Sequence, residues 1–391
     1  MLDPAGRRGN PNKLGVPGAP GRRDTGAVAS GPRLAAQVER DLVRRCHAGL
    51  DAVEVRRLAL GTLRRLMPVD AAFFATADPD TLLFTGGHAE QPLDGVQPLL
   101  LDNEFGGTDV NRFAALAAGP AHVAGLDGAT RGERQASPRY RDIMAPLGLG
   151  DELRAALVAG GRCWGYLCLH RADGPTGFSP REAALVARLA PHLAHALRLA
   201  VLTRAEPEPP RTGSAGGAAG PGVVLLEPDL EVAAITEPAE RLLSLVEDSR
   251  GARHPLPVAV YGVAAALRAL ECGSASPGLA PSTRVPTTDG RWLALHASRL
   301  RGTAGADRTV VVVEPAPALD TVPLVLAAYG LSPREGEVAR LVLRGASTRL
   351  ISDTLHISAH TVQDHLKVIF DKTGVRSRRE LVGQLLAQRS G

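Results

Sequence analysis

Near the C-terminus, His360, Gln363, Asp364 and Lys367 fall within eight residues of one another at three- and four-residue spacings, the spacing of one helical face. A carboxamide such as Gln363 can pair bidentately with adenine. A lysine such as Lys367 can reach guanine O6 and N7, and a carboxylate such as Asp364 can accept from cytosine N4. Val362, Leu366, Ile369 and Phe370 are interleaved with them as a single apolar stripe, with His365 at its edge as a packing residue. The stripe must pack inward, which leaves His360, Gln363, Asp364, Lys367 and Asp371 on the opposite arc. Base-edge contacts come mainly from the N-terminal part of a groove helix, which favours the first four over Asp371. Phosphates are better served by Thr361, the backbone N–H groups of residues 358–360, and the cations Arg376, Arg378 and Arg379, with Lys372 counted beside them.

The elements that must hold this arc carry their own start and stop signals. Ser332-Pro333-Arg334-Glu335 places a capping hydroxyl, a proline at the first helical position and a carboxylate that reaches back to the cap. Val338, Leu341 and Val342 follow at helical spacing, and Gly345 can take the left-handed conformation that ends a helix. Ser347 opens a second helix with Leu350, Ile351 and Leu355. Ser358 caps a third, which Gly374 closes, and Ser377-Arg378-Arg379-Glu380 reads as a further capping box. Two helices joined by a tight turn, the second polar outside, make a shape that enters a DNA major groove.

From Leu331 to Leu386 the chain resembles the LuxR-type helix-turn-helix domain. The likeness lies in Leu331-Ser332-Pro333-Arg334-Glu335, Gly345, Ser347, Ile351, Leu355, Ile357-Ser358, Thr361-Val362, His365-Leu366, Ile369, Lys372 and Gly374-Val375. The resemblance implies base contacts from Gln363, Asp364 and Lys367, and dimerisation on DNA through the fourth helix, about 378–386. The family often carries lysine where this chain has Gln363. Asp364 also turns a negative charge toward phosphates, which lowers nonspecific affinity.

At 391 residues, 44% hydrophobic and 3% aromatic, the chain can build two or three domains. The net charge of +4 is unevenly spread. From Leu331 onward there are ten Lys/Arg and six Asp/Glu, and the first 33 residues hold six and two. The remainder is therefore acidic by four charges and would repel DNA. The four cysteines, Cys46, Cys163, Cys168 and Cys272, form no zinc pattern and read as reduced buried thiols. Cys163 and Cys168, five apart in one strand, are expected on opposite faces. No apolar run approaches membrane-spanning length and no signal-peptide core opens the chain, so a cytoplasmic protein is expected.

Residues 1–33, rich in Gly, Pro and Arg, read as a disordered tail. Residues 34–204 form a mixed α/β unit. Two amphipathic helices are followed by strands at Ala71–Ala75 and Leu82–Phe84 around the Asp78-Pro79-Asp80 turn, then a hairpin from Glu152 to His170 through Gly160-Gly161. A long helix follows, capped by Ser179. Trp164, Tyr166, Cys168 and His170 are expected on one strand face, with Cys163, Leu167 and Leu169 on the other. Arg162 to Leu197 resembles a GAF sensor domain, which implies a small-molecule pocket between sheet and helices; no NKFDE-type signature is present. His192 and His195 have an i, i+3 spacing that suits two metal ligands, but no acid or thiol stands nearby in sequence, so they read as structural. Residues 205–221 are a linker by composition. Residues 222–316 (strand, strand, helix, then three strands) resemble a small PAS domain.

The expected fold class is multidomain α+β: a GAF-like sensor, a PAS-like unit at 222–316, and an all-α four-helix domain at 317–391. The expected function is a DNA-binding transcription regulator of the LuxR type, a homodimer on an inverted-repeat operator. A ligand would bind at the GAF-like domain and RNA polymerase would be a partner, with no cofactor, metal or membrane involved. No GxSxG, HExxH or GxxxxGK[ST] motif occurs, which argues against an enzyme and against the large ATPase regulators. A receiver domain does not fit the N-terminal region. A sigma-factor-like subunit would need an aromatic, basic melting region, and the middle here is acidic. A constitutive regulator whose N-terminal domains only dimerise is the remaining alternative.

Overall fold

The computed structural model describes residues 31–174, 176–203, 220–247, 256–276, 278–301 and 307–387. The expected tail through residue 30 and most of the expected linker lie outside the described residues. Helix α1 (Pro32–Cys46) begins inside the stretch read as tail, because proline suits the first helical turn. In α2 (Ala52–Leu66), Asp51 and Glu54 form a reciprocal capping box. Strands β1 (Ala71–Ala77) and β2 (Phe84–Ala89) follow. The second was expected from Leu82, but Leu82 takes a left-handed φ of 61° and cannot extend.

Next come α3 (Gln97–Gly106), α4 (Phe113–Ala118), β3 (Val123–Gly125) and α5 (Leu126–Thr130). The hairpin of β4 (Leu149–Ala159) and β5 (Arg162–Ala172) leads into α6 (Pro180–Thr203). The five strands form one antiparallel sheet in the order β2-β1-β5-β4-β3. One face buries Phe74, Trp164, Leu167 and Leu169 against α1, α2 and α6. The other turns Phe84, Tyr166 and Cys168 toward Leu101 and Phe105 of α3 and Phe113 of α4.

A bulge corrects the expected alternation in β5. Leu157 pairs with Gly165 and Val158 with Cys163, so Trp164 is an extra residue and the faces exchange across it. Cys163 therefore shares the α3 side with Tyr166 and Cys168, while Trp164 joins Leu167 and Leu169. Helix α6 also corrects the hydropathy reading. By length and composition it could cross a membrane, but Leu185, Leu189, Leu193 and Leu197 are buried against the sheet, as in a core helix.

The second unit contains β6 (Gly222–Leu226), β7 (Val232–Ile235), α7 (Glu237–Ser244), α8 (Val258–Glu271), β8 (Ser282–Pro286), β9 (Trp292–Leu300) and β10 (Arg308–Pro315). Its antiparallel order β7-β6-β10-β9-β8 repeats that of the first sheet. The sequence reading has no counterpart for α8, whose first nine residues are all buried. A helix apolar all round lacks the stripe that marks an amphipathic one. It is sandwiched between β8–β10 of its own sheet and α3 and β2 of the first unit.

Five helices complete the described residues: α9 (Ala318–Ala328), α10 (Pro333–Leu343), α11 (Thr348–Leu355), α12 (Ala359–Thr373) and α13 (Arg378–Ala387). Helix α9 joins two cores. Leu324, Ala327 and Ala328 pack with α6, while Val322, Val325 and Leu326 pack with α10–α13. Val201 and Leu202, at the end of α6, also reach the C-terminal core.

Candidate nucleic-acid interface and sensor pocket

Ser332 and Glu335 form the expected capping box on α10, Ser347 accepts from the Leu350 amide, and Ser358 accepts from Thr361 N. Gly345 and Gly374 close their helices at φ of 79° and 74°. The last box is skewed: Ser377 accepts from Glu380 N, but Glu380 reaches past it to Arg376 N at 2.8 Å. Val362, Leu366 and Ile369 are buried, as the stripe required. The turn between α11 and α12 runs through His356, held at a left-handed φ of 54°.

His360, Gln363, Asp364 and Lys367 are all exposed on the outer arc of α12. His360 Nε2 lies 3.7 Å from Asp364 Oδ2. Gln363 Nε2 donates to Thr348 Oγ1 at 3.4 Å, a contact weak enough to exchange for a base. Thr361 shares its hydroxyl with Ser358 at 2.8 Å, inside the cap. Arg376 and Arg379 are exposed, and Asp371 lies with the solvent-facing residues.

Two cations expected at phosphates have other tasks. Lys372 Nζ donates to Glu335 Oε2 at 2.7 Å and to Gly330 O at 3.1 Å, which fastens the end of α12 to the start of α10. Arg378 donates to Ala346 O at 3.1 Å and to Thr348 Oγ1 at 2.9 Å. It thereby pins α13 to the α10–α11 turn. Both are cations near a helix terminus that the fold itself uses, and sequence alone cannot distinguish that from a free cation. The sequence reading also missed Thr348, which receives both Gln363 and Arg378, and Arg349, exposed in the first turn of α11.

The sensor unit contains a second arrangement, of which the sequence reading placed only Cys168 and His170 together, on one strand face. On the α3 side of the first sheet, Arg139 is fully buried and donates to Glu152 Oε2 from Nε (3.0 Å) and Nη2 (2.7 Å). Arg154 Nη2 donates to Glu104 at 2.7 Å, Nη1 donates to Asn111 O at 3.1 Å, and the guanidinium lies 3.7 Å over the Phe113 ring. Cys168 Sγ donates to Glu152 Oε1 at 3.1 Å and lies 3.2 Å from His170 Nε2. Burial alone would raise the Glu152 pKa, but the charges of Arg139 and Arg154 outweigh it and hold Glu152 at about 2. Burial pushes His170 down to about 4 and raises Cys168 well above the usual thiol range. His170 and Cys168 are therefore neutral at physiological pH. These groups form the polar end of a cavity walled by Phe73, Phe84, Leu93, Leu101, Phe113 and, from the second unit, Val258. Their members lie between residues 104 and 170, so no sequence motif unites them.

His192 and His195 meet a third histidine, 145 residues from the first. His47 Nε2 is 3.4 Å from His192 Nδ1, and its ring centroid is 4.4 Å from that of His195. Arg198 donates to His195 Nδ1 at 3.1 Å and so occupies one of its two ring nitrogens.

The units are also tied by one side chain. Arg284 of β8 donates to Asp78 Oδ2 at 2.7 Å and Oδ1 at 2.6 Å, to Asp80 Oδ2 at 2.7 Å, and to Asp320 O of α9 at 2.8 Å.

Comparison with known proteins matches residues 330–384 to the family described as bacterial regulatory proteins, luxR family, and residues 51–197 to the GAF domain. The C-terminal segment is thus a LuxR-family helix-turn-helix domain, and the first unit is a GAF domain. Over 65 residues the chain is 43% identical to the monoamine regulon transcriptional regulator of Klebsiella aerogenes; the match covers 17% of this chain and 26% of that protein. The chain thus spans about a quarter of that relative's length. Among solved structures, the phycoerythrobilin-bound GAF domain of a cyanobacterial phytochrome matches with a TM-score of 0.30 at 15% identity, covering 43% of this chain and 96% of that one. The Vibrio cholerae VqmA dimer, solved without its target DNA, matches with a TM-score of 0.18 at 17% identity, covering 43% and 82%.

Proposed function

Starting from a LuxR-family DNA-binding domain at one end and a GAF domain at the other, we propose that this chain is a transcription regulator that binds double-stranded DNA sequence-specifically and takes its input at the GAF domain. The observation that carries the proposal is the exposed arc His360–Gln363–Asp364–Lys367 on a fully capped α12. Gln363, Asp364 and Lys367 read base edges in the major groove, and Thr361, Arg376 and Arg379 contact phosphates. Two copies bind an inverted repeat, with α13 as the dimer contact, in the cytoplasm, where RNA polymerase is the downstream partner. Residues 222–316 act as a PAS-like unit relaying the state of the GAF domain, a reading supported by its strand order.

The cavity between the first sheet and α3 is the input site. A ligand there regulates only if it favours one arrangement of the molecule over another. The route is built from contact: α3 packs on α8, and α9 packs on α6 and on the DNA-binding core. The test is to map genomic binding by immunoprecipitation and sequencing, then measure the full chain on the recovered duplexes across a salt series. A shared inverted-repeat motif with steeply salt-dependent affinity is expected. Sites without a shared motif would refute the reading.

A further inference from the structure

The buried polar end of the GAF cavity leaves two atoms without partners, and they define what fits. The Cys168 thiol has one proton, which it donates to Glu152 Oε1. His170 Nε2, 3.2 Å from the sulfur, must therefore be the N–H donor to it, and His170 Nδ1 is left as a lone-pair acceptor. Nδ1 is buried with no hydrogen-bond partner. Arg154 uses Nη1 and Nη2 on Asn111 and Glu104. Its Nε–H is likewise unpartnered, 3.8 Å from Glu152 Oε1. His170 and Arg154 are 2% and 5% exposed, so each orphan costs free energy that a suitable partner returns. They lie on paired strands, in the cross-strand pairs Glu152–His170 and Arg154–Cys168, which are successive on one face of the sheet.

Charge narrows the choice. Glu104, Glu152 and Asp109 face Arg139 and Arg154, with His170 and Cys168 neutral. Counted as ionised groups, the cluster already carries one excess negative charge, and an anionic ligand would double it in a site of low dielectric. An ammonium would balance the sum but could not accept from Arg154 Nε–H. Glu152, Cys168 and His170 offer metal-ligand atoms within 4.8 Å of one another. However, two guanidiniums already supply the cations beside Glu152, and burial opposes the thiolate that a metal would need. The three side chains act as a hydrogen-bond relay.

Resting on the input-site reading above, we infer that the GAF cavity takes a small, uncharged, mostly apolar or aromatic molecule bearing one hydroxyl or carboxamide, which accepts from Arg154 Nε–H and donates to His170 Nδ1. The cavity measures about 40 Å³, less than an aromatic ring fills, so Phe73, Phe84, Phe113 and Leu101 must part to seat the body of the ligand. Discrimination comes from the polar end, because an analogue without it leaves both atoms unpaired.

The probes are benzyl alcohol and benzamide, set against toluene, benzoate and benzylammonium, with binding to the full-length chain measured by calorimetry and by thermal shift. The alcohol or the amide should bind at least about tenfold more tightly than toluene, and benzoate more weakly still. His170→Asn and His170→Leu should erase the preference over toluene while toluene binding persists; Val258→Trp should block every probe. Benzoate or benzylammonium binding best, no probe binding at all, or a stoichiometric transition metal in the purified protein would each overturn the inference. Because binding is read without DNA, a chain that selects the alcohol but shows unchanged operator affinity refutes the input role and leaves the ligand class standing.

Discussion

Lys372→Ala separates a cation that the fold uses from one that DNA uses. The ammonium sits 2.7 Å from Glu335 Oε2, with side chains 35% and 11% exposed, and it also holds Gly330 O. Fully exposed pairs contribute about 0–1 kcal/mol, and breaking a buried pair costs about 3–5 kcal/mol. An intermediate pair should cost about 1–2 kcal/mol. Against a stability of at least about 5 kcal/mol, the folded fraction barely changes, so DNA affinity at 25 °C should hardly move. The signature is elsewhere. A lost phosphate contact would flatten the plot of log K against log salt by about 0.9. Lys372→Ala should leave that slope unchanged, whereas Arg379→Ala should reduce it by that amount. Hydrogen exchange of α10 and α12 should accelerate in the first variant and not in the second. There is a pH component too. Burial would raise the Glu335 carboxyl, but Lys372 and the Ser332 amide outweigh it, so its folded pKa is depressed. Its stabilisation is present above the unfolded carboxyl range and lost as pH falls through the folded value. Lys372→Ala should diminish that acid sensitivity. A flattened salt slope with unchanged exchange would refute the reasoning.

Other perturbations are equally specific. Gln363→Ala and Lys367→Ala should each alter the preferred site by about 1–3 kcal/mol per base contact, and selection from random duplexes should return altered motifs. Arg378→Ala removes two charge-assisted hydrogen bonds and should destabilise the domain by about 1–3 kcal/mol, seen as faster exchange at residues 345–348 and in α13. Arg284→Ala leaves Asp78, whose side chain is 1% exposed, buried without its guanidinium. This should cost about 3 kcal/mol and loosen β2 and β8 in exchange experiments. Burial favours a raised Asp80 pKa, but Arg284 and then Arg162 pull it below the ordinary aspartate value. The wild-type junction should therefore hold at neutral pH and weaken only as acid protonates Asp80. Gly165→Ala would set a Cβ 2.6 Å from Ala75 O. The overpacking should cost about 1–3 kcal/mol, measured as a lower melting temperature.

The C-terminal domain was legible because its information is local: each helix of α10–α12 has a hydroxyl cap, and the apolar stripe of α12 fixes the outward arc by elimination. What that reading could not contain is partnership across the chain. Lys372 and Arg378 look like Lys367 and Arg379 until Glu335, Ala346 and Thr348 are placed beside them. The hairpin of β4 and β5 was equally plain, yet a single bulge at Trp164 exchanged the faces of its neighbours, and period-two counting cannot detect an extra residue. Helix α8 escaped because its first nine residues, all buried, show no polar side. The GAF pocket chemistry escaped because Glu104, Arg139, Glu152, Arg154 and His170 converge only when the sheet and its crossing segments close.

The double burial of α8 bears on how such a molecule can be inherited and rebuilt. Val258 to Ala266 face their own sheet on one side and α3 and β2 of the GAF domain on the other. Cutting the chain between the two units would strip apolar surface from both. A GAF domain moved alone into another regulator would arrive with a wall of its cavity missing at Val258. A piece that recombination or an engineer transplants must therefore keep the pair together, and it must carry α9 as well, whose Leu324, Ala327 and Ala328 pack on α6.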